Sequence, residues 1–232
     1  MCGRFTLTAD PALVQQTFNL DVAPAQFAPR YNIAPSQPVA VISNQNPHQL
    51  DYFKWGLVPS WSKDPAIGNK MINARAETAA EKPSFREALK KRRCLIPASG
   101  FYEWAQDGKQ PMYLHLPDDP LFAFAGLWET WHSPDGDELR TCTILTGEPN
   151  ALVSTFHHRM AVILQPEDYD AWLNPDPVKP DEVMPLLRIF PAARMAAYPV
   201  GKTVNSPAND SPACIAPLDL SGSGLGQQPN LL

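Results

Sequence analysis

The residues able to do chemistry are few and widely spaced, and the first of them is the second residue of the chain. The sequence opens "MCGRF", and removal of Met1 would leave Cys2 with a free α-amine and a thiol on the adjacent carbon. An α-amine titrates near ~7.7–8.0 and a thiol near ~8.5, so at neutral pH a useful fraction of the amine is already an uncharged nucleophile. A lysine would need a large shift to do the same. An amine adds to an aldehyde to give a Schiff base, and the neighbouring thiol can close on the imine as a five-membered thiazolidine, a step that proximity favours. The plainer reading is a small residue tolerated at a chain terminus.

Three more stretches carry polar groups beside apolar sequence. In "MINARAET" (71–78), Asn73 both donates and accepts hydrogen bonds, and Arg75 offers a planar fork to a phosphate or carboxylate. A structural network with Glu77 is the alternative there. In "ASGFYEW" (98–104), Glu103 lies between Tyr102 and Trp104, where burial would raise its pKa into the range of a general acid. On the exposed face of an alternating strand it would be ordinary. In "STFHHRMAVIL" (154–164), His157, His158 and Arg159 precede a buried-looking strand whose edge could hold one imidazole in a cleft. A satisfied structural histidine is the commoner case.

The elements that must position these groups read as strands and loops. The sequence has 26 prolines, set mainly between short apolar runs, which excludes a helical bundle. Strands are expected at 38–43, 50–57, 93–104, 112–116, 121–129 and 140–146, with a hairpin turn on Asp107-Gly108. Helices are expected after Asp10 as N-cap, after Ser84, and from Pro166. The fold class is therefore α+β, a mainly antiparallel sheet or open barrel with a few peripheral helices. One domain over 1–220 and a disordered Gly/Ser-rich tail over 221–232 are expected.

Composition narrows the functional classes. At 232 residues with 44% hydrophobic content the chain can bury a real core. No signal-like opening and no long apolar run occurs, so a cytoplasmic protein without a membrane partner is expected. Its four cysteines are scattered, with no CxxC pair or metal-ligand spacing, so neither disulfide nor metal is expected. The net charge is −5, yet residues 1–110 carry 13 Lys and Arg against 9 Asp and Glu, and the remainder 6 against 15. A locally basic face on an acidic protein can still meet a polyanion.

Taken in order, "MCGRF", "RYNIAPSQ" (30–37), "KWGLVPSW" (54–61), "INARAET", "GFYEW" and "HHRM" closely resemble the SRAP (SOS response-associated peptidase) family, which includes bacterial and eukaryotic abasic-site DNA-crosslinking proteins. The likeness spans residues 2–205. It implies the SRAP fold and a covalent thiazolidine between processed Cys2 and the ring-opened aldehyde of an abasic site in single-stranded DNA, shielding the lesion during the DNA damage response. By the same resemblance Cys2 is the nucleophile, Asn73 orients the amine, Glu103 shuttles protons, and His157 assists opening of the sugar ring. Arg4 and Arg75 match phosphate-holding arginines, and Arg159 adds to them. Trp61 and Trp104 are candidates to stack on flanking bases, with core packing as their alternative, and Asn32 and Pro35 match a loop that shapes the site. No cofactor is implied, and a monomer is expected, nucleoid-associated when bound to DNA.

Two positions depart from the family pattern. His158 stands where an acid or amide is usual, and Ala161 replaces the proline of "RMP". His157 keeps the histidine role because it stands two residues before the arginine. Competing readings are an N-terminal-nucleophile cysteine peptidase, including self-removal of Met1, and a lesion-binding module that does not react. A weak lyase activity by β-elimination is a further reading, and ring closure by the thiol should suppress it.

Overall fold

The computed structural model describes residues 3–24, 27–105 and 110–218. Cys2, the Asp107-Gly108 turn and the tail beyond 220 lie outside them. Among the described residues twelve strands form the framework: β1 Phe5–Leu7, β2 Arg30–Ile33, β3 Pro38–Ser43, β4 Asp51–Trp55, β5 Asn73–Arg75, β6 Arg93–Ala98, β7 Gly100–Trp104, β8 Pro111–His115, β9 Phe122–His132, β10 Glu138–Gly147, β11 Met160–Ala161 and β12 Ala196–Pro199. Five short helices, α1 Pro11–Thr17, α2 Ala76–Ala79, α3 Arg86–Lys91, α4 Tyr169–Trp172 and α5 Pro180–Val183, are joined by several 3-10 turns. The architecture is mixed α+β with mainly antiparallel pairing, as the sequence implies.

One sheet closes on itself. Its strands run β10-β4-β3-β6-β9, and β9 pairs back to β10 from Glu138↔His132 to Ile144↔Gly126. Closure leaves no free edge among these five strands. Packing against β6 is close at Gly126, where a Cβ would lie 2.8 Å from Cys94 Sγ and from Ile96 Cδ1, so those side chains would have to shift to admit one. A second sheet has the order β12-β8-β7-β1-β2. The expected single strand over 93–104 divides at Ser99, with β6 in the barrel and β7 in the second sheet. Ser99 makes the corner by donating its N–H to Thr6 C=O at 2.8 Å and accepting from Thr8 N–H at 3.0 Å.

Local chemistry sets the peripheral pieces. Asp10 caps α1 as expected, accepting from Ala12 and Leu13 N–H at 2.9 and 3.0 Å. The expected helix from Pro166 is a 3-10 turn, Pro166–Asp168, running into α4. Arg93 is fully buried and donates to the carbonyls of Leu89, Lys90, Trp172, Asn174 and Asp176. It thereby ties the ends of α3 and α4 to β6, satisfying backbone acceptors that the short helices leave open. Among the described residues no helix is long and apolar enough to cross a membrane.

Candidate active site

The second sheet delivers Glu103. It stands on β7, opposite Met112 of β8, and is 4% exposed. Burial pushes its carboxyl up from the ordinary carboxylate value to about 7, so near neutrality it can both give and take a proton. On its other side β7 pairs with β1 through Phe5↔Phe101 and Thr6↔Gly100, and Tyr102 N–H donates to Arg4 C=O at 3.0 Å. The N-terminal end of β1 therefore enters the sheet beside Glu103.

A strap of residues 203–210 holds the neighbouring groups. Arg4 Nη1 donates to Asn32 Oδ1 at 2.7 Å and to Val204 C=O at 2.6 Å. Asn32, fully buried on β2, donates from Nδ2 to the carbonyls of Val204, Ser206 and Asn209. Asp210 accepts from the backbone N–H groups of Tyr31 and Asn32 and from Arg30. Trp104 Nε1 donates to Asn205 Oδ1 at 2.9 Å, and the Arg4 guanidinium lies 5.8 Å from the Trp104 ring centroid. Burial lowers the pKa of Arg4, but a guanidinium starts so high that it stays charged.

The barrel delivers the other groups. Strand β5 runs parallel to β10 through Ile144↔Asn73, Leu145↔Ala74 and Thr146↔Arg75, while β11 pairs with β10 through Thr146↔Ala161 and Gly147↔Met160. The stretches around residues 73 and 157 thus meet across the end of one strand. Asn73 is half-buried and Arg75 exposed. Arg159 forks onto Glu77, Nη1 to Oε1 at 2.7 Å and Nη2 to Oε2 at 2.8 Å, and Nη2 also donates to Thr146 C=O. The hydrogen bonds from Arg159 hold the Glu77 carboxyl below its ordinary pKa. The network at Glu77 is therefore made by Arg159, and as a phosphate holder Arg159 would have to leave a bidentate partner.

His157 and His158 differ in setting. Their rings stack with centroids 4.3 Å apart, but His157 is half-buried and His158 exposed. His157 Nδ1 accepts from Arg159 N–H at 2.9 Å, and its pKa is lowered, first by burial and then by neighbouring positive charge. It is therefore a neutral imidazole near pH 7, held by the backbone.

The two halves of the site are joined through Trp55. Phe5 of β1 packs edge-on against Trp55, whose Nε1 donates at 2.8 Å to the carbonyl of Ile72, the residue before Asn73. Half-buried Pro35 sits in the turn that clasps the same tryptophan, where Ser36 N–H donates to Trp55 C=O at 2.8 Å and Trp55 N–H to Gln37 C=O at 2.9 Å. Gly56 then turns the chain with φ +130°, and a Cβ there would stand 2.5 Å from Gly68 C=O. Trp61 lies in the loop that follows β4. Its loop is fixed by Val58 N–H to Thr141 Oγ1 and by Trp131 Nε1 to Ser62 C=O, toward the β9–β10 hairpin, and its ring is 59% exposed. Two contributors have no motif of their own: Thr146 is findable only through strand register, and nothing in the sequence marks Asn205.

The family profile described as SOS response associated peptidase (SRAP) matches residues 1–207. A Bacillus subtilis (strain 168) protein named "Abasic site processing protein YoqW" is 48% identical over 221 residues, covering 93% of this chain and 99% of its own. A Gallus gallus protein named "Abasic site processing protein HMCES" is 35% identical over 230 residues, covering 84% of this chain and 68% of its own. Among solved structures, an X-ray structure of a protein from Bacteroides thetaiotaomicron superposes with a TM-score of 0.83 at 29% identity, covering 94% of this chain and 100% of that one.

Proposed function

Because the chain belongs to the SOS response associated peptidase (SRAP) family, we propose that it processes abasic sites in DNA, and does so by capturing them in single strands through Cys2 after Met1 is lost. The observation that carries this reading is Glu103, a buried carboxyl with a pKa of about 7, one residue from the bond that ties β7 to Arg4. Cys2 is two peptide units from Arg4, and consecutive Cα atoms are ~3.8 Å apart. Chain length alone keeps the Cα of Cys2 within ~8 Å of that of Arg4.

An abasic deoxyribose is a cyclic hemiacetal in equilibrium with its aldehyde. Opening breaks the C1′–O4′ bond while the proton of the C1′ hydroxyl leaves and one reaches O4′, and His157 relays that proton. The Cys2 amine then adds to C1′, oriented by Asn73. Neutral Glu103 protonates the resulting hydroxyl, which departs as water and leaves the imine. The thiol adds to the same carbon and its proton passes to nitrogen, giving a thiazolidine with net loss of one water. Arg4 and exposed Arg75 are placed as phosphate holders in this reading, since a guanidinium fork suits a phosphate, and Trp61 is the stacking platform.

Intact-mass measurement before and after incubation with a single-stranded abasic oligonucleotide tests the proposal. The expected result is a protein lacking Met1 that gains one oligonucleotide less one water, with no gain for Cys2→Ala. A linkage formed by protein that keeps Met1, or no gain at all, overturns it.

A further inference from the structure

One ring nitrogen of His157 faces two groups of a single residue. His157 Nδ1 lies 2.9 Å from the Arg159 N–H and 3.2 Å from the Arg159 C=O. The first contact suits an unprotonated Nδ1 and the second a protonated one, so no single state satisfies both. The geometry points to Arg159 as a positioning residue that serves His157 in both protonation states without moving the ring, and to Glu77 as the side chain that keeps Arg159 there. When Nδ1 accepts from the N–H, the neutral ring carries its proton on Nε2 and presents a donor. When Nδ1 carries the proton and donates to the C=O, Nε2 is free to accept. In the second state Nε2 takes the proton of the C1′ hydroxyl, the imidazolium so formed keeps its Nδ1–H on the Arg159 C=O, and Nε2 then gives a proton to O4′, so the ring ends neutral as it began and has not moved. This inference rests on the proton-relay role proposed for His157.

Residues 157–159 belong to no strand or helix, so between the His157 N–H bond to Val153 C=O and the pairing of Met160 with Gly147 the Arg159 side chain is what holds its peptide. Glu77 supplies two of the bonds and Thr146 the rest, through its C=O and, at 3.4 Å, its Oγ1. The Arg159 side chain is 13% exposed and its buried Nε has no hydrogen-bond partner among the described residues. Without Glu77 the guanidinium would be left with Thr146 alone and no counter-charge, a costly burial that turning outward relieves. Among the described residues, the positive and titratable groups around the ring are His158, stacked on it, and Arg159 itself. Both disfavour added charge, so the backbone carbonyl is what makes the protonated state accessible.

The test compares wild type with Glu77→Ala and Glu77→Gln, using nitrogen-15 spectra of the imidazoles in DNA-free protein and crosslinking rates across pH. The expected result for Glu77→Ala is a changed His157 tautomer population, a shifted pH profile and a rate lower by about tenfold, part of the ~10²–10⁴ that acid–base catalysis contributes. Affinity for intact single strands should be kept. Glu77→Gln, which retains one acceptor, should lie between, and it carries the comparison alone if the alanine variant does not fold. Unchanged His157 signals in both variants overturn the inference, whether or not the rate falls. So does a rate loss that matches a loss of strand affinity, which would make the pair a gate on phosphate binding instead. If wild type forms no crosslink, the functional reading fails separately, while the imidazole spectra still decide this one.

Discussion

Phe5 meets Trp55 edge-on, ring centroids 5.2 Å apart and planes inclined by 68°, and this contact joins the sheet carrying Glu103 to the strand that ends beside Asn73. Phe5 also packs on Phe124, which Phe101 touches from β7. Two groups on different sheets can hold a fixed relation only if the sheets cannot slide, and close-packed aromatic edges resist sliding.

Phe5→Ala should therefore destabilise the protein by about 3–5 kcal/mol, the usual cost of emptying a buried phenyl site. Trp55→Phe should cost about 1 kcal/mol, since it keeps a ring but loses the bond to Ile72 C=O. The second variant should stay folded and still crosslink more slowly, because the stretch before Asn73 loses one of its anchors while the pairing of β5 with β10 remains. Urea unfolding gives the first quantity and a timed gel the second; a Trp55→Phe rate equal to wild type would show that the anchor is unimportant.

Glu103 predicts a pH dependence with a definite sign. Its folded pKa of about 7 lies above its reference value of 4.5, so the native state holds a proton that the unfolded chain releases between these values. The stabilisation from the neutral carboxyl is full below pH 4.5 and lost as pH rises through about 7. Integrated, the ionised carboxyl costs the fold at most about 3 kcal/mol at alkaline pH. Glu103→Gln removes that titration, so it should gain stability relative to wild type above pH 7 and none below pH 4.5, while crosslinking drops by roughly 10²-fold or more. Parallel stability curves for the two proteins would mean the carboxyl is not held protonated by burial.

The two tryptophans should separate cleanly. Trp61 is 59% exposed on an anchored loop, so Trp61→Ala should leave stability within about 0.5 kcal/mol and weaken single-strand binding by ~1–3 kcal/mol if a base stacks there. Trp104 is half-buried and bonded to Asn205, so Trp104→Ala should weaken the fold as well as binding. Equal affinity of Trp61→Ala and wild type for a short oligonucleotide would remove Trp61 from the interface.

How much of this was legible in the sequence depends on the range of the interactions. The strand at 38–43 and the Asp10 cap coincide with β3 and the start of α1, because both are set by neighbours in sequence. Strands β5 and β11, three and two residues long, were not legible: they exist only because the end of β10 runs past β4 and β9 and pairs with each. The corner at Ser99 escapes a reading of 93–104 as one apolar run, since hydrophobicity does not say which sheet a strand joins. In the site, the order of motifs was readable through family resemblance. The pairing of Glu77 with Arg159 was not, because it depends on Thr146 lying opposite both Arg75 and Ala161.

Serine at position 2 separates covalent DNA capture from peptide hydrolysis, the activity that the family's description names. A hydroxyl can still serve as a hydrolytic nucleophile when a base takes its proton, so a Cys2→Ser protein that works as a peptidase should keep measurable cleavage. Ring closure is different. A thiol near pKa ~8.5 supplies some thiolate at neutral pH, whereas an alkoxide is essentially absent. Cys2→Ser should therefore still form a Schiff base through its amine, trappable by borohydride, but give little product that survives denaturation without reduction. Released from ring closure, that Schiff base can proceed by β-elimination, so the variant should nick abasic DNA faster than wild type does. Denaturing gels run with and without borohydride read all three outcomes; cleavage of peptides with no reducible DNA adduct would favour the hydrolase.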